Sequence, residues 1–268
     1  MQRIILAAAI ACGASLAAQT THVAVGQQLG TVIQAAQPGD VILFSGTYAP
    51  LGQPILIQKP LFIHGKNGAR ITLALSFEVS KISAGQSFVL QDVEVDKILV
   101  KDCDGPVLLA GIKTATFYGG PKIEAVNCKD LTIEEFSGGN VTVTGSHVSI
   151  KNSTIQGSHY NSRVNPFGGQ HGIWSINSTV LLGATRAIAG APQVGVRAGL
   201  SLDITSHATI AGDCTLQAYQ GIGGGNYSAV AGLGTVVYNA AATFLPVGNA
   251  PGLDANLTTS TRRVPVTG

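Results

Sequence analysis

The chain has 268 residues, 45% hydrophobic and 11% charged, with a formal net charge of +2. That charge is too small to argue for nucleic acid, and the composition supports one compact domain. Aromatic residues are sparse at 6%, with a single Trp, which weighs against a carbohydrate surface paved with rings.

Residues 1–19 read as a signal peptide. Arg3 supplies the positive start, and residues 4–18 are apolar, Ala-rich and too short for a bilayer span. Leu16-Ala17-Ala18 places cleavage near Ala18, so the expected location is exported: secreted, periplasmic or cell-surface. Ala9-Ile10-Ala11-Cys12 matches a lipoprotein box only in part, because Ala9 is a poor residue for that motif. No later apolar run is long enough for a membrane span.

Residues 27–36 place Leu29, Val32, Ile33 and Ala36 on one helical face, and Pro38-Gly39-Asp40 ends that helix. Val41-Ile42-Leu43-Phe44 is a buried strand and Ser45-Gly46-Thr47-Tyr48 its turn. Asp40 reads as a turn residue rather than a catalytic acid. Residues 55–100 supply short strand cores: Leu56-Ile57, Leu61-Phe62-Ile63, Phe88-Val89-Leu90 and Ile98-Leu99-Val100 among them.

A register then appears. Asp102-Cys103, Asn127-Cys128, Asn152-Ser153 and Asn177-Ser178 recur at steps of 25 residues, and Asp213-Cys214 fits the template after a longer gap. Each unit divides into about three short alternating runs, with no room for a crossover helix. Such a chain buries all its apolar rows by winding into a coil, each turn stacking on the last as parallel strands. In that arrangement an inward Asn is expected to bond its neighbours up and down the stack, beside a small Ser or Cys. Cys103 and Cys128 share this column one turn apart, a separation a disulfide tolerates and an oxidising compartment permits, but parallel side chains would strain the bond and both are expected to be reduced, buried residues. Ser206-His207 echoes Ser146-His147, which predicts one repeated position for both His.

This pattern resembles the right-handed parallel β-helix of the pectin-lyase-like superfamily, from about Val25 to about Gly234. The run Ala35-Ala36-Gln37-Pro38-Gly39-Asp40-Val41-Ile42-Leu43-Phe44-Ser45-Gly46-Thr47-Tyr48 resembles the opening segment of secreted β-helix proteins, where a short helix plugs the first coil. The resemblance implies an all-β solenoid with an N-terminal capping helix over residues 20–240. The last strand or strands and an irregular tail then fill 241–268. The fold carries several unrelated activities. The motifs of pectin methylesterases and polygalacturonases are missing. Gln91-Asp92 reads as a coil turn, and Gln170-His171-Gly172 matches a Gly-His-Gly signature only in part.

The irregular stretch lies between Gln156 and Ile176, where a middle strand is missing and a polar Gly/Pro-rich loop, 157–172, stands in its place. A loop projecting from a rigid coil is where function is expected. His159 and His171 are candidate general bases, and Arg163 is a candidate catalytic group and carboxylate anchor. Tyr160, Arg163, His171 and Trp174 are candidate ligand contacts. The bland alternative is a self-bonded loop with Trp174 in the core. No acidic residue lies between Glu135 and Asp203, which argues against paired-carboxylate or calcium-dependent chemistry at this loop. No Cys/His spacing suits a metal, and no cofactor is expected. Residues 187–200 form a second interruption, and 221–225 a Gly-rich turn without the Lys of a phosphate loop. The expectation is an exported β-helix with a structural or ligand-binding role, with polysaccharide the candidate ligand. The alternative is a polysaccharide lyase or glycoside hydrolase on the same fold.

Overall fold

The structure is a computed structural model that describes residues 19–49, 53–72, 76–114, 122–158, 171–190, 198–219 and 226–254, with the backbone of Arg262–Val264. The chain winds as a right-handed parallel β-helix with three faces, and its named strands pair in parallel. The first face stacks strands such as Val107–Ala110, Leu131–Glu134, His147–Lys151 and Thr179–Gly183. The second stacks the short strands Lys113–Thr114, Ser137–Gly138, Thr154–Gln156 and Arg186–Ile188. The third stacks Ile98–Cys103, Ile123–Cys128, Val141–Thr144, Ile173–Ile176 and Leu200–Leu202.

Alternation within each strand puts every second residue inside. On the third face Ile98, Val100, Ile123, Ala125, Val141, Val143 and Ile173 are all fully buried. Each such aliphatic side chain contributes about 1.5–3 kcal/mol by leaving water, so the stacked rows form one continuous core.

The 25-residue register resolves into two separate columns. Cys103 and Cys128 are paired, a step of 25. The following turns advance by 18, from Val126 to Thr144, and by 32, from Thr144 to Ile176. Their mean restores 25 and brings Asn177 back into line at the corner between the third and first faces. Asn152 does not join that column. It follows His147–Lys151 and lies at the corner between the first and second faces, as does Asp213-Cys214.

The Asx residues face outward, which corrects the expected inward amide stack. Asp102, Asn127, Asn152 and Asn177 are exposed and hold φ between 47 and 54°. Asn and Asp tolerate that left-handed backbone better than other non-glycine residues, and Gly145 takes the same place at φ 58°. One amide contact runs between turns, from Asn127 Nδ2 to Asp102 Oδ1 at 3.0 Å. The inward partner is the next residue. Cys128 N–H donates to Ser146 Oγ at 2.9 Å, Ser146 N–H to Ser178 Oγ at 3.0 Å, and Ser178 N–H to Ser206 Oγ at 3.2 Å. The Ser146 and Ser178 hydroxyls donate in turn to the carbonyl two residues back, Thr144 and Ile176. The second corner has a related column: Ser153 Oγ accepts the Phe136 N–H at 3.1 Å, the Ser153 and Thr185 hydroxyls donate to the carbonyls two residues back, and the Cys214 thiol donates to Ala211 O, three residues back. His147, Thr179 and His207 follow the first ladder outward in one register, as the echo between the two His predicted.

The N-terminal end is closed by the helix Leu29–Ala35, which buries Leu29 and Ile33 against the first turn. The coil begins before this helix, where Thr21–Val25 pairs with Val41–Tyr48. Residues 45–48 continue that strand instead of turning away, bending where Gly46 has φ 78°. Asp40 is the turn residue the sequence indicated. It accepts from Gln37 N–H at 2.8 Å and Thr20 N–H at 3.0 Å, and pairs with His22 Nε2 at 2.7 Å. These bonds, led by His22, hold its carboxyl down at about 2.

Two outcomes follow from these bonds. Ser178→Ala removes the acceptor of a buried N–H and is expected to cost about 1–3 kcal/mol, read as a lower urea midpoint at unchanged slope. Asp40 contributes fully above its ordinary value of 3.8, and its contribution is lost as pH falls toward about 2. Asp40→Asn is therefore expected to lower the melting temperature at pH 7 and to flatten its fall between pH 4 and 2. Parallel acid titrations of the two proteins check this, and identical slopes would contradict it.

Candidate ligand-binding site

The two ladders fix the first and second corners, since each needs a hydroxyl or thiol at a set distance from the strand before it. The third corner, between the second and third faces, carries no repeated hydroxyl or thiol: Lys122, Asn140, Gly172, Gly199 and Ala229 precede successive strands. It therefore accepts insertions, and the long connections 157–172, 189–199 and 218–229 all lie there. No strand is missing between Gln156 and Ile176. The second-face strand is Thr154–Gln156, and the loop is an insertion after it. Both expected interruptions thus occupy one corner. Gly172 and Gly199 mark where the loops rejoin the coil. A Cβ on Gly172 would stand 2.7 Å from Gly199 O, and one on Gly199 2.5 Å from Ala187 O.

Trp174 projects from the third face just after this corner. It is 46% exposed, so it is not a core residue. Its strand neighbours are Thr142 on one side and Ser201 on the other. Both are small, which leaves the indole standing above a flat polar surface. The indole thus offers a large, flat apolar face with a polar N–H to solvent from a regular strand. Toward the N-terminal end of the same face, Glu124 pairs with Lys97 at 2.8 Å and Glu78 with Lys101 at 2.8 Å. The acidic groups there are neutralised by neighbours on the same face.

His171 is half-buried at the corner, with its ring centroid 6.3 Å from that of Trp174 and tilted by 46°. Its Nδ1 accepts the Ala198 N–H at 3.0 Å, tying the ends of two inserted loops together. The neutral ring then carries its proton on Nε2, which makes it a donor rather than a base through Nδ1. The structure brings His171 and Trp174 together. His159, Tyr160 and Arg163 lie outside the described residues.

A second cluster was missed in the sequence. On the first face, His64, Gln91, Ala110, Glu134 and Lys151 occupy one outward column. His64 Nδ1 lies 3.6 Å from Asp92 Oδ2, which also accepts from Gln91 Nε2 at 3.0 Å. Phe62 stacks on the His64 ring at 6.2 Å. Asp92 sits at a second-corner turn with φ 55°, as read from Gln91-Asp92, and its carboxylate lies over Gly111, where a Cβ would come within 2.2 Å. Glu134 stands two rungs from Gln91, about 10 Å, across the small Ala110. No motif marks these residues, because the turn lengths that align them are irregular. Among the described residues, no three His, Cys, Asp or Glu side chains converge as a metal site. No described helix is long and apolar enough to cross a membrane.

A scan of family models and a search of curated protein sequences gave no match. The structure is similar to the A-module of the Azotobacter vinelandii mannuronan C-5 epimerase AlgE4, at 9% identity and a TM-score of 0.37, over 89% of this chain and 86% of that one.

Proposed function

We propose that the chain is an exported β-helix that binds polysaccharide on its third face, with Trp174 as the stacking platform. The exposed indole between Thr142 and Ser201 carries this reading. A pyranose ring has an apolar C–H face bounded by hydroxyls. The indole matches the first, and the Thr and Ser side chains beside it match the second. His171, held by Ala198, adds a polar ring at the edge of the platform. Export is part of the proposal and rests on residues 1–19.

The alternative reading is hydrolysis of a glycan on the first face. The observation favouring it is the His64–Asp92 contact with Glu134 across Ala110. Asp92, next to Gln91, and Glu134, two rungs along, put two carboxylates on neighbouring positions of one face, the kind of pair that glycoside hydrolysis uses.

Covering about 100 Å² of the indole yields roughly 2–3 kcal/mol at ~25 cal/mol per Å². Trp174→Ala is thus expected to weaken polysaccharide binding about 30- to 100-fold. Affinity electrophoresis and calorimetry against xylan, amylose, polygalacturonate and alginate measure this, with Leu181→Ala on the first face as an unaffected control. Unchanged affinity in Trp174→Ala, or no binding of these polysaccharides by the parent chain, would sink the platform. In the same samples, new reducing ends that vanish in Asp92→Asn and Glu134→Gln but persist in Trp174→Ala would favour the hydrolase.

A further inference from the structure

The first-corner ladder contains an anomaly. Its later rungs are Ser146, Ser178 and Ser206, but two consecutive earlier rungs are Cys103 and Cys128. Both thiols are buried, and they donate to Lys101 O at 3.3 Å and Val126 O at 3.4 Å, the carbonyls two residues back. Serine makes the same bond at 2.7–2.8 Å in later rungs. A ladder that needs only a small donor is served better by Ser, so its geometry does not by itself account for two thiols in adjacent turns.

The backbone supplies the missing relation. Cys103 and Cys128 are direct partners on neighbouring parallel strands. Their Cα atoms are therefore about 4.8 Å apart, inside the roughly 4.4–6.8 Å that a disulfide spans. Each thiol spends its one proton on a backbone carbonyl, so the two sulfurs face each other across the rung without another acceptor between them being required. The neighbouring Cys103 side chain, with burial adding to it, pushes the Cys128 thiol up. Cys214 is a comparison within the same molecule. It holds the equivalent place in the second-corner ladder, donating to Ala211 O at 3.4 Å, with Thr185 as its neighbour in the turn before.

We propose that Cys103 and Cys128, which are thiols in this structure, are a site of reversible oxidation to a cross-rung cystine. A disulfide-bearing oxidant, such as oxidised glutathione, takes up two electrons and two protons and leaves as two thiols. Its S–S bond breaks as the Sγ–Sγ bond forms between the two turns. The cystine closes a single turn of the coil, which restricts the unfolded chain. It also pulls both sulfurs off their carbonyls. Parallel side chains start at the rung spacing of about 4.8 Å, wider than the ~3.8 Å between the Cβ atoms of a relaxed cystine. A bond held under that mismatch is readily reduced. The inference is independent of the glycan reading.

The test uses the full chain, kept in oxidised glutathione both in the folded state and during refolding from urea. Free thiols are then alkylated under denaturing conditions and mapped by peptide mass spectrometry, which separates Cys12 from the other three. The expected result is a linked peptide pair carrying Cys103 and Cys128, lighter by two hydrogens, with Cys214 alkylated. Dithiothreitol is expected to reverse the link, and the oxidised form to show a higher urea midpoint. Cys128→Ser keeps the ladder and is expected to leave Cys103 fully alkylated. The proposal is overturned if Cys103 and Cys128 are both alkylated after either treatment, or if Cys103 links to Cys214 as often as to Cys128.

Discussion

Each turn of this molecule depends on hydrogen bonds to the turns beside it. A single rung has only three short strands and can neither bury its apolar row nor satisfy its backbone alone. At two corners the backbone must also reverse within a few residues. A left-handed residue makes the reversal possible, and the inward Ser, Thr or Cys after it supplies the buried N–H of the previous turn with an acceptor. The corner is thereby tied to the rung spacing, and the side chains on the flat faces inherit that spacing.

This division explains where variation is tolerated. An insertion at a laddered corner would orphan a buried donor, at roughly 1–3 kcal/mol, before any loop entropy is counted. At the third corner no such column exists in the described turns, and the chain leaves and returns through Gly172 and Gly199. Longer loops add only slowly to the closure cost. The described ends of the inserted segments therefore share one edge, and the strand after the first of them presents Trp174 beside His171. The platform itself stands on a regular strand, paired on both sides, so its orientation does not depend on a loop.

What the sequence showed and what it hid divide along the same line. Alternation inside strands, the helical face of Leu29 and Ile33, and the local turn at Asp40 are properties of a few adjacent residues, and each was legible. The Asx-Ser and Asx-Cys pairs were also legible as corner marks. Their assignment to one column was not secure, because turns of 18 and 32 residues average to the 25 that separates Asp102 from Asn127. Asn152 and Asp213 fell into the series while belonging to another corner. The outward direction of the Asn side chains was hidden for a related reason: a demand for left-handed φ and a demand for a buried amide select the same residue. At the site, Trp174 could be named as a candidate, but its exposure depended on which face its strand joined. His64 and Asp92 were illegible as a pair, since nothing local links residues one irregular turn apart.

The same logic bears on Cys103 and Cys128. Had the ladder asked only for a small interior residue, any mixture of Ser, Thr and Cys would serve, and the other corner shows such a mixture with Ser153, Thr185 and Cys214. A lone thiol there fills the hydroxyl's place. Two thiols in successive turns add a relation that a hydroxyl cannot have, because only sulfur can exchange its hydrogen bond for a covalent bond to the next rung. A solenoid distributes stability turn by turn. A reversible bond between two neighbouring turns would therefore act locally, stiffening the rungs around residues 98–128, several turns from Trp174. Redox chemistry and ligand contact would then occupy different turns of the coil.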